Sequence, residues 1–340
     1  MSQSSPRLFK LSDTYLVTYH LVMPRHANPL GILFGGYMME WIVESGTINT
    51  MRFSGRNSVL GFIDNLFFIN PVRVGDTVIY RTWIVRVRRT SMEVYIEVLS
   101  RTGEGEYFLS SIARAIYVAL DHNYKPVDTG FRVYGASEWE NNMISKFEKW
   151  RAEVDKLIER YTSVEFKPAY TPRYAFSTIR RVSFEDAMPE SIMYAGNLLR
   201  YLDEISSILS SRYAGGSVVT ASLDQLIFKK PIRVGDIIKL TSTLTRTWKS
   251  SMEIKTVVTR LSGESEEKLV EAYSTFVKIG LDGRPQPLEP YQPTSPEEYE
   301  EWIEADARRQ RRFNSLREVE YFKGKKVDIG DLRKPEPIVS

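Results

Sequence analysis

Apolar and polar side chains alternate along several stretches of this chain about ten residues long, and each group of such stretches follows one apolar segment of helical period. Thr14 to Met23 is rich in β-formers, and a loop from Pro24 to Leu33 leads to Gly35-Gly36. These glycines open Tyr37 to Met51, whose apolar residues recur at helical spacing. After Gly55 the pattern predicts strands over Ser58–Phe68, Asp76–Arg88, Ser91–Arg101 and Tyr107–Leu120. Five or six strands around a single helix make an α+β unit, not an alternating βαβ one.

The same order then returns, with a strand over Phe176–Phe184, a helix over Gly196–Arg212, and strands near 217–228, 236–247, 251–262 and 268–279. Pro71-Val72-Arg73-Val74-Gly75-Asp76 comes back as Pro231-Ile232-Arg233-Val234-Gly235-Asp236, and Ser91-Met92-Glu93-Val94 as Ser251-Met252-Glu253-Ile254, both at an offset of 160 residues. A repeat of domain size is the mark of a duplication, so differences between the copies can be read position by position. Asp121 to Arg173 has no counterpart inside the repeat. Within it, Ser137 to Tyr161 carries Trp139, Ile144, Phe147, Trp150, Val154 and Leu157 among charges, which predicts an amphipathic helix. A second helix is expected after Pro293. The chain therefore divides into an N-terminal domain over 1–121, a linker over 122–173, a C-terminal domain over 174–290 and a helical tail over 291–340.

Each half is long enough to bury its own core. Lys and Arg number 46 against 43 Asp and Glu, too balanced for a dedicated nucleic-acid binder, and a small-molecule or protein partner is expected instead. The absence of Cys removes disulfides, thiol nucleophiles and zinc ribbons, and the sequence shows no clustered metal ligands, so no metal and no cofactor are expected. The first residues lack the apolar run of a secretory signal and no stretch reaches the roughly 20 apolar residues of a membrane span, so a cytoplasmic protein is expected.

The string from Met23-Pro24-Arg25-His26-Ala27-Asn28-Pro29-Leu30-Gly31 to Phe34-Gly35-Gly36, then PVRVGD, then Arg89-Thr90-Ser91-Met92-Glu93-Val94, resembles the hotdog-fold acyl-CoA thioesterases. The tandem layout is similar to the double-hotdog branch. The resemblance implies two hotdog domains, each a curved antiparallel sheet wrapped around a long central helix, with active sites where one unit meets the other. It also implies an acyl-CoA substrate and a homo-oligomer, a trimer of double-hotdog chains.

In that family a loop Asn before the Gly-Gly helix start works with an acid on the other unit's helix. The matching positions hold Asn28 and Val43 in the first copy, and Met188 and Asp203 in the second. Each copy has lost the opposite half of the pair. Because a site draws its Asn from one copy and its acid from the other, one live site (Asn28, Asp203) and one degenerate site (Met188, Val43) are expected per chain. Asp203 would act as general base or nucleophile, and Asn28 would orient water or polarise the thioester. The N–H groups at the helix start, Gly35 and Gly36, would hold the oxyanion. Arg88, Arg89, Thr90 and Ser91, with Lys249 and Ser250, are candidates by resemblance for binding the CoA phosphates.

Asp64 and Asp224 occur in both copies, and are expected to be structural. Arg308, Arg309, Arg311 and Arg312 read first as a solvated helix end and second as neighbours of a substrate phosphate. A hotdog hydratase or dehydratase, with His26 as its histidine, and a non-catalytic acyl-CoA binding module are the competing readings.

Overall fold

The computed structural model describes residues 6–162, 172–188, 191–228, 230–328, 330 and 332–339, without the side chains of 160–162. Parts of the linker and the tail thus lie outside the described residues. The first unit comprises β1 (Arg7–Lys10), β2 (Leu16–Leu21), α1 (Gly35–Ser54), β3 (Asn57–Ile63), β4 (Leu66–Phe67), β5 (Thr77–Val87), β6 (Ser91–Arg101), β7 (Tyr107–Leu120), β8 (Phe131–Tyr134) and α2 (Glu138–Thr162). The second comprises β9 (Ala175–Arg181), α3 (Ala195–Ala214), β10 (Val218–Leu223), β11 (Leu226–Ile227), β12 (Ile237–Thr247), β13 (Ser251–Ser262), β14 (Ser265–Lys278) and α4 (Pro296–Glu320).

Each unit is an antiparallel sheet wrapped around its central helix. The central helices run until Gly55 and Gly215, each at φ 63°, a left-handed cap that glycine adopts without strain. The units exchange short strands. The sheet order is β11-β3-β7-β6-β5-β2 in one and β4-β10-β14-β13-β12-β9 in the other, so each sheet ends in a strand from the other copy. Leu226 pairs with Ile63, and Leu66 with Leu223. A further parallel pair, β1 with β8, was not legible in the sequence pattern.

The central helices also pack on one another. Met38, Met39, Ile42 and Val43 join Leu198, Leu199, Leu202 and Ile205 in one core that spans both units. At this junction a Cβ on Gly36 would meet the Arg200 Cα at 3.0 Å, so the glycine lets the two helix starts approach closely.

The outer faces differ. In the first sheet, β5 and β6 are buried on both sides because α2 lays Met143, Phe147, Trp150 and Val154 on the outer face. The chain after α4 returns across the same face: Trp83 Nε1 donates to the Pro335 carbonyl at 2.6 Å, and the Ile338 and Val339 N–H groups donate to Glu97 Oε1. β12 keeps the alternation of a half-buried strand.

The structure extends the repeat where the sequence did not. Glu140 accepts N–H bonds from Ser12, Ala136 and Ser137, and Glu298 accepts them from Arg173 and Thr294, so α2 and α4 begin alike at an offset of 158. Their outward similarity is lost because α2 packs aromatics whereas α4 packs charges. Arg308 is buried against Glu253, and Arg312 lies against Asp224 and Glu253, so neither is a solvated helix end. Arg311 is exposed, and Arg309 is half-buried over the Trp248 ring.

Candidate functional site

Asp203 lies on α3, yet both its carboxylate oxygens are held where the two copies meet. Oδ2 accepts the Gly36 N–H at 2.7 Å from the start of α1, and Oδ1 accepts the Thr220 hydroxyl at 2.9 Å from β10. The side chain is buried, and loss of water pushes its carboxyl up to about 7 although both hydrogen bonds oppose the shift. A Cβ on Gly35 would meet Thr220 Oγ1 at 2.8 Å and Asp203 Oδ2 at 3.0 Å, so glycine keeps the carboxylate reachable from the helix start.

Asn28 belongs to the preceding loop and is half-buried. Its Oδ1 accepts the N–H groups of Leu30 and Ile32 at 3.0 and 3.1 Å, which fixes the amide and leaves Nδ2 as the end free to donate. Asn28, Gly35 and Thr220 line one cavity of about 760 Å³, with Phe68, Ser207 and Phe276 among its other walls. Asp203 sits directly behind Gly35 and Thr220. The N–H of Gly36 is already given to Asp203, which leaves Gly35 as the N–H at the helix start for a developing oxyanion.

The pseudo-equivalent space is lined by Met188, Val43, Leu60, Ala195 and Tyr194 and measures about 210 Å³. Four polar or minimal positions have become larger and apolar: Asn28 by Met188, Asp203 by Val43, Thr220 by Leu60, and Gly35 by Ala195. Tyr117, which stands at the position of Val277, donates its hydroxyl to the Val43 carbonyl at 3.1 Å. The loop backbone is nevertheless the same. Met188 N–H bonds to the Ile192 carbonyl as Asn28 N–H does to Ile32, and Ser191 holds φ 69° where Gly31 holds 71°. Thr220 escaped the sequence reading, although the same offset sets it against Leu60; a lone Thr in a strand looks like an ordinary β-former.

The other candidates fall elsewhere. Arg88 pairs with Asp155 at 3.0 Å and Arg89 is exposed on the same hairpin; neither they nor Thr90 and Ser91 line the large cavity. Lys249 and Ser250 lie between Trp248 and Ser251, which line a separate pocket of about 230 Å³. Asp64 accepts from Trp150 Nε1 at 2.7 Å within the first unit and from Gln225 Nε2 at 2.7 Å across the two units. His26 packs its ring on Tyr37 and Trp41, with Nδ1 accepting the Met23 N–H, and lines neither the large cavity nor its degenerate counterpart. Among the described residues no group of three or more metal-ligating side chains occurs, and no helix is long and apolar enough to cross a membrane.

A sequence profile of the thioesterase superfamily matches residues 30–106 and again 190–267, once per copy. An uncharacterized acyl-CoA thioester hydrolase of Bacillus subtilis (strain 168) is 32% identical over 118 residues, covering 34% of this chain and 67% of that protein. The chain belongs to the acyl-CoA thioesterases of this superfamily. The human cytosolic acyl coenzyme A thioester hydrolase is 25% identical over 313 residues, 86% of this chain and 82% of its own length. An acyl-ACP thioesterase from Bacteroides thetaiotaomicron shares the fold at TM-score 0.50 and 12% identity, over 79% of this chain and all of that one (100%). This acyl-CoA thioesterase is thus an enzyme whose activity is thioester hydrolysis.

Proposed function

We propose that the chain hydrolyses acyl-CoA to a free fatty acid and coenzyme A at one site, built from Asn28, Gly35 and Gly36 of the first copy and Asp203 and Thr220 of the second. The observation that carries this reading is the pair of hydrogen bonds that hold Asp203 at the start of the other copy's helix. With its carboxyl near 7, Asp203 is partly ionised at neutral pH and suited to take a proton from water. Thr220 and Gly36 orient it. The thioester carbonyl faces Asn28 Nδ2 and the Gly35 N–H, whose helix start favours the negative charge that develops on oxygen. Water attacks the carbonyl carbon, its proton passes to Asp203, the tetrahedral intermediate collapses, and the thiolate leaves to take up that proton.

Met188 and Val43 offer neither a base nor an amide, so the second site is inert. The paralogous division into 1–121, 122–173, 174–290 and 291–340 belongs to the same proposal, with α2 and α4 as outer covers of their sheets. The human relative's cytosolic name supports a cytoplasmic enzyme. We propose the trimer of double-hotdog chains as its assembly.

Thiol release from acetyl- to palmitoyl-CoA tests the reaction and reads its chain-length range. Asn28→Ala and Asp203→Ala should each lower kcat about 10²-fold or more. A fully active Asp203→Ala enzyme would refute the assignment.

A further inference from the structure

The large cavity does not end at the thioester position. It shares Phe68, Ile69, Ala221, Val277 and Lys323 with the pocket of about 230 Å³ between α4 and the sheet of the second unit. This second pocket is rich in unanswered polarity. Arg312 is 7% exposed and lines it, and its Nη2 has no hydrogen-bond partner; Thr275 Oγ1, in the same lining, is likewise buried without one. Buried polar atoms are nearly always partnered, so two orphans in one pocket point to a missing ligand.

Two further cations border the space with no ion-pair partner among the described residues. Arg309 lies 4.7 Å over the Trp248 ring. Burial lowers its affinity for its proton against the pull of Asp306, and Arg312 and Arg246 add to the fall. Lys323 is delivered by a clamp: Asn70, itself buried, donates Nδ2 to the Phe322 carbonyl at 3.1 Å and accepts the Gly324 N–H at 2.7 Å, holding the backbone on both sides of the lysine.

The first unit, whose thioester site is degenerate, differs at three positions of this pocket. Ala115 replaces Thr275, Val154 replaces Arg312, and Arg151, the counterpart of Arg309, is neutralised by Asp155 at 2.7 Å and Glu93 at 3.3 Å. The orphaned cations therefore accompany the one polar thioester site.

Resting on the proposed acyl-CoA hydrolysis, we propose that this pocket binds a phosphate of the nucleotide end of coenzyme A, through Arg309, Arg312 and Lys323, while the pantetheine runs along the shared wall to Asp203. The cations and the thioester position face two neighbouring pockets that share five wall residues. Phosphate oxygens would satisfy Arg312 Nη2 and Thr275 Oγ1 without disturbing the Arg312 bonds to Asp224 and Glu253.

Calorimetric titration of the full chain with adenosine 3′,5′-bisphosphate, which carries the nucleotide phosphates without pantetheine or acyl chain, tests the pocket without relying on turnover. Binding to the wild type, weakened about tenfold by Arg309→Ala and by Lys323→Ala, is expected. Both substitutions leave the Arg312 network intact, and unchanged circular dichroism and unfolding midpoint verify the fold. In turnover the same variants should raise KM for acyl-CoA about tenfold at constant kcat, and leave KM for the matching acyl N-acetylcysteamine thioester, which has no phosphate, unchanged. No bisphosphate binding by the wild type, unchanged affinity in both variants, or an equal KM rise on the truncated thioester would overturn the proposal. Bisphosphate binding lost in the variants of a chain that releases no thiol from any acyl-CoA would support the pocket while defeating the proposed function.

Discussion

Gly36 and Asp203 stand 167 positions apart, yet the glycine N–H reaches the aspartate Oδ2 at 2.7 Å and ties the start of one copy's helix to the acid of the other. One bond thus makes the site depend on both halves of the chain. It also sets a carboxylate at the positive end of a helix dipole in a place stripped of water.

The raised carboxyl has two consequences for pH. Activity needs the ionised base, so kcat/KM should rise through an apparent pKa near 7, and Asp203→Asn should abolish that limb along with turnover. Stability moves the other way. An acid whose folded value lies at about 7 and whose ordinary value is 3.8 is fully stabilising only below about 3.8, and loses that contribution as pH climbs towards 7. Asp203→Asn should therefore raise the unfolding midpoint relative to wild type at pH 8, and little at pH 4. A lower midpoint for the variant at pH 8 would contradict the sign.

Thr220 and Gly35 were not equally visible, but both shape Asp203. Thr220→Val removes the hydroxyl donor that favours the ionised carboxylate, so the rising limb should move to higher pH and turnover at neutral pH should fall by up to about tenfold. Part of this loss should return at higher pH. Gly35→Ala, which copies the degenerate site, would drive its Cβ towards Thr220 and Asp203 and should cost turnover at every pH. Rate profiles from pH 5 to 9 separate the two behaviours.

Restoring the second site requires more than the amide and the acid. In an Asp203→Ala background, Met188→Asn with Val43→Asp should stay inactive, because Leu60 and Ala195 still fill the wall where Thr220 and Gly35 stand in the first site. Adding Leu60→Thr and Ala195→Gly should return measurable thiol release. Recovery with only the first two substitutions would mean that Thr220 and Gly35 contribute nothing.

The buried charges of α4 make a stability prediction. Arg312→Gln leaves buried Asp224 without its cation beside Glu253, which Arg308 still holds, and should lower unfolding free energy by roughly 3–5 kcal/mol in urea titrations. Asp224 is already pushed up to about 6 by burial, so part of the loss should return at pH 5 as it protonates.

The strand and helix periods, the 160-residue offset and the loop-to-helix glycines were all legible, because period and repeat are properties of the sequence itself. The complementary loss of Asn28 and Asp203 partners was visible for the same reason. Thr220 was not, since a hydroxyl on a strand carries no signal until its partner is known. The equivalence of α2 and α4 was hidden by a two-residue shift and by the exchange of Trp150 for Arg308 at one packing position. Burial of Arg308 and Arg312 was hidden too: their ion-pair partners, Glu253 and Asp224, lie more than fifty residues away, and only folding brings them together. Burial of β5 and β6 on both faces was not legible either, because α2 and the segment after α4, which cover the outer face, are both separated from these strands in sequence.

The most direct test is a crystal structure of the wild-type enzyme with a non-hydrolysable acyl-CoA thioether analogue. One molecule per chain is expected, its acyl carbonyl between Asn28 and Asp203 with the oxygen towards the Gly35 N–H. An analogue whose carbonyl lay beside Val43 and Met188 would contradict it.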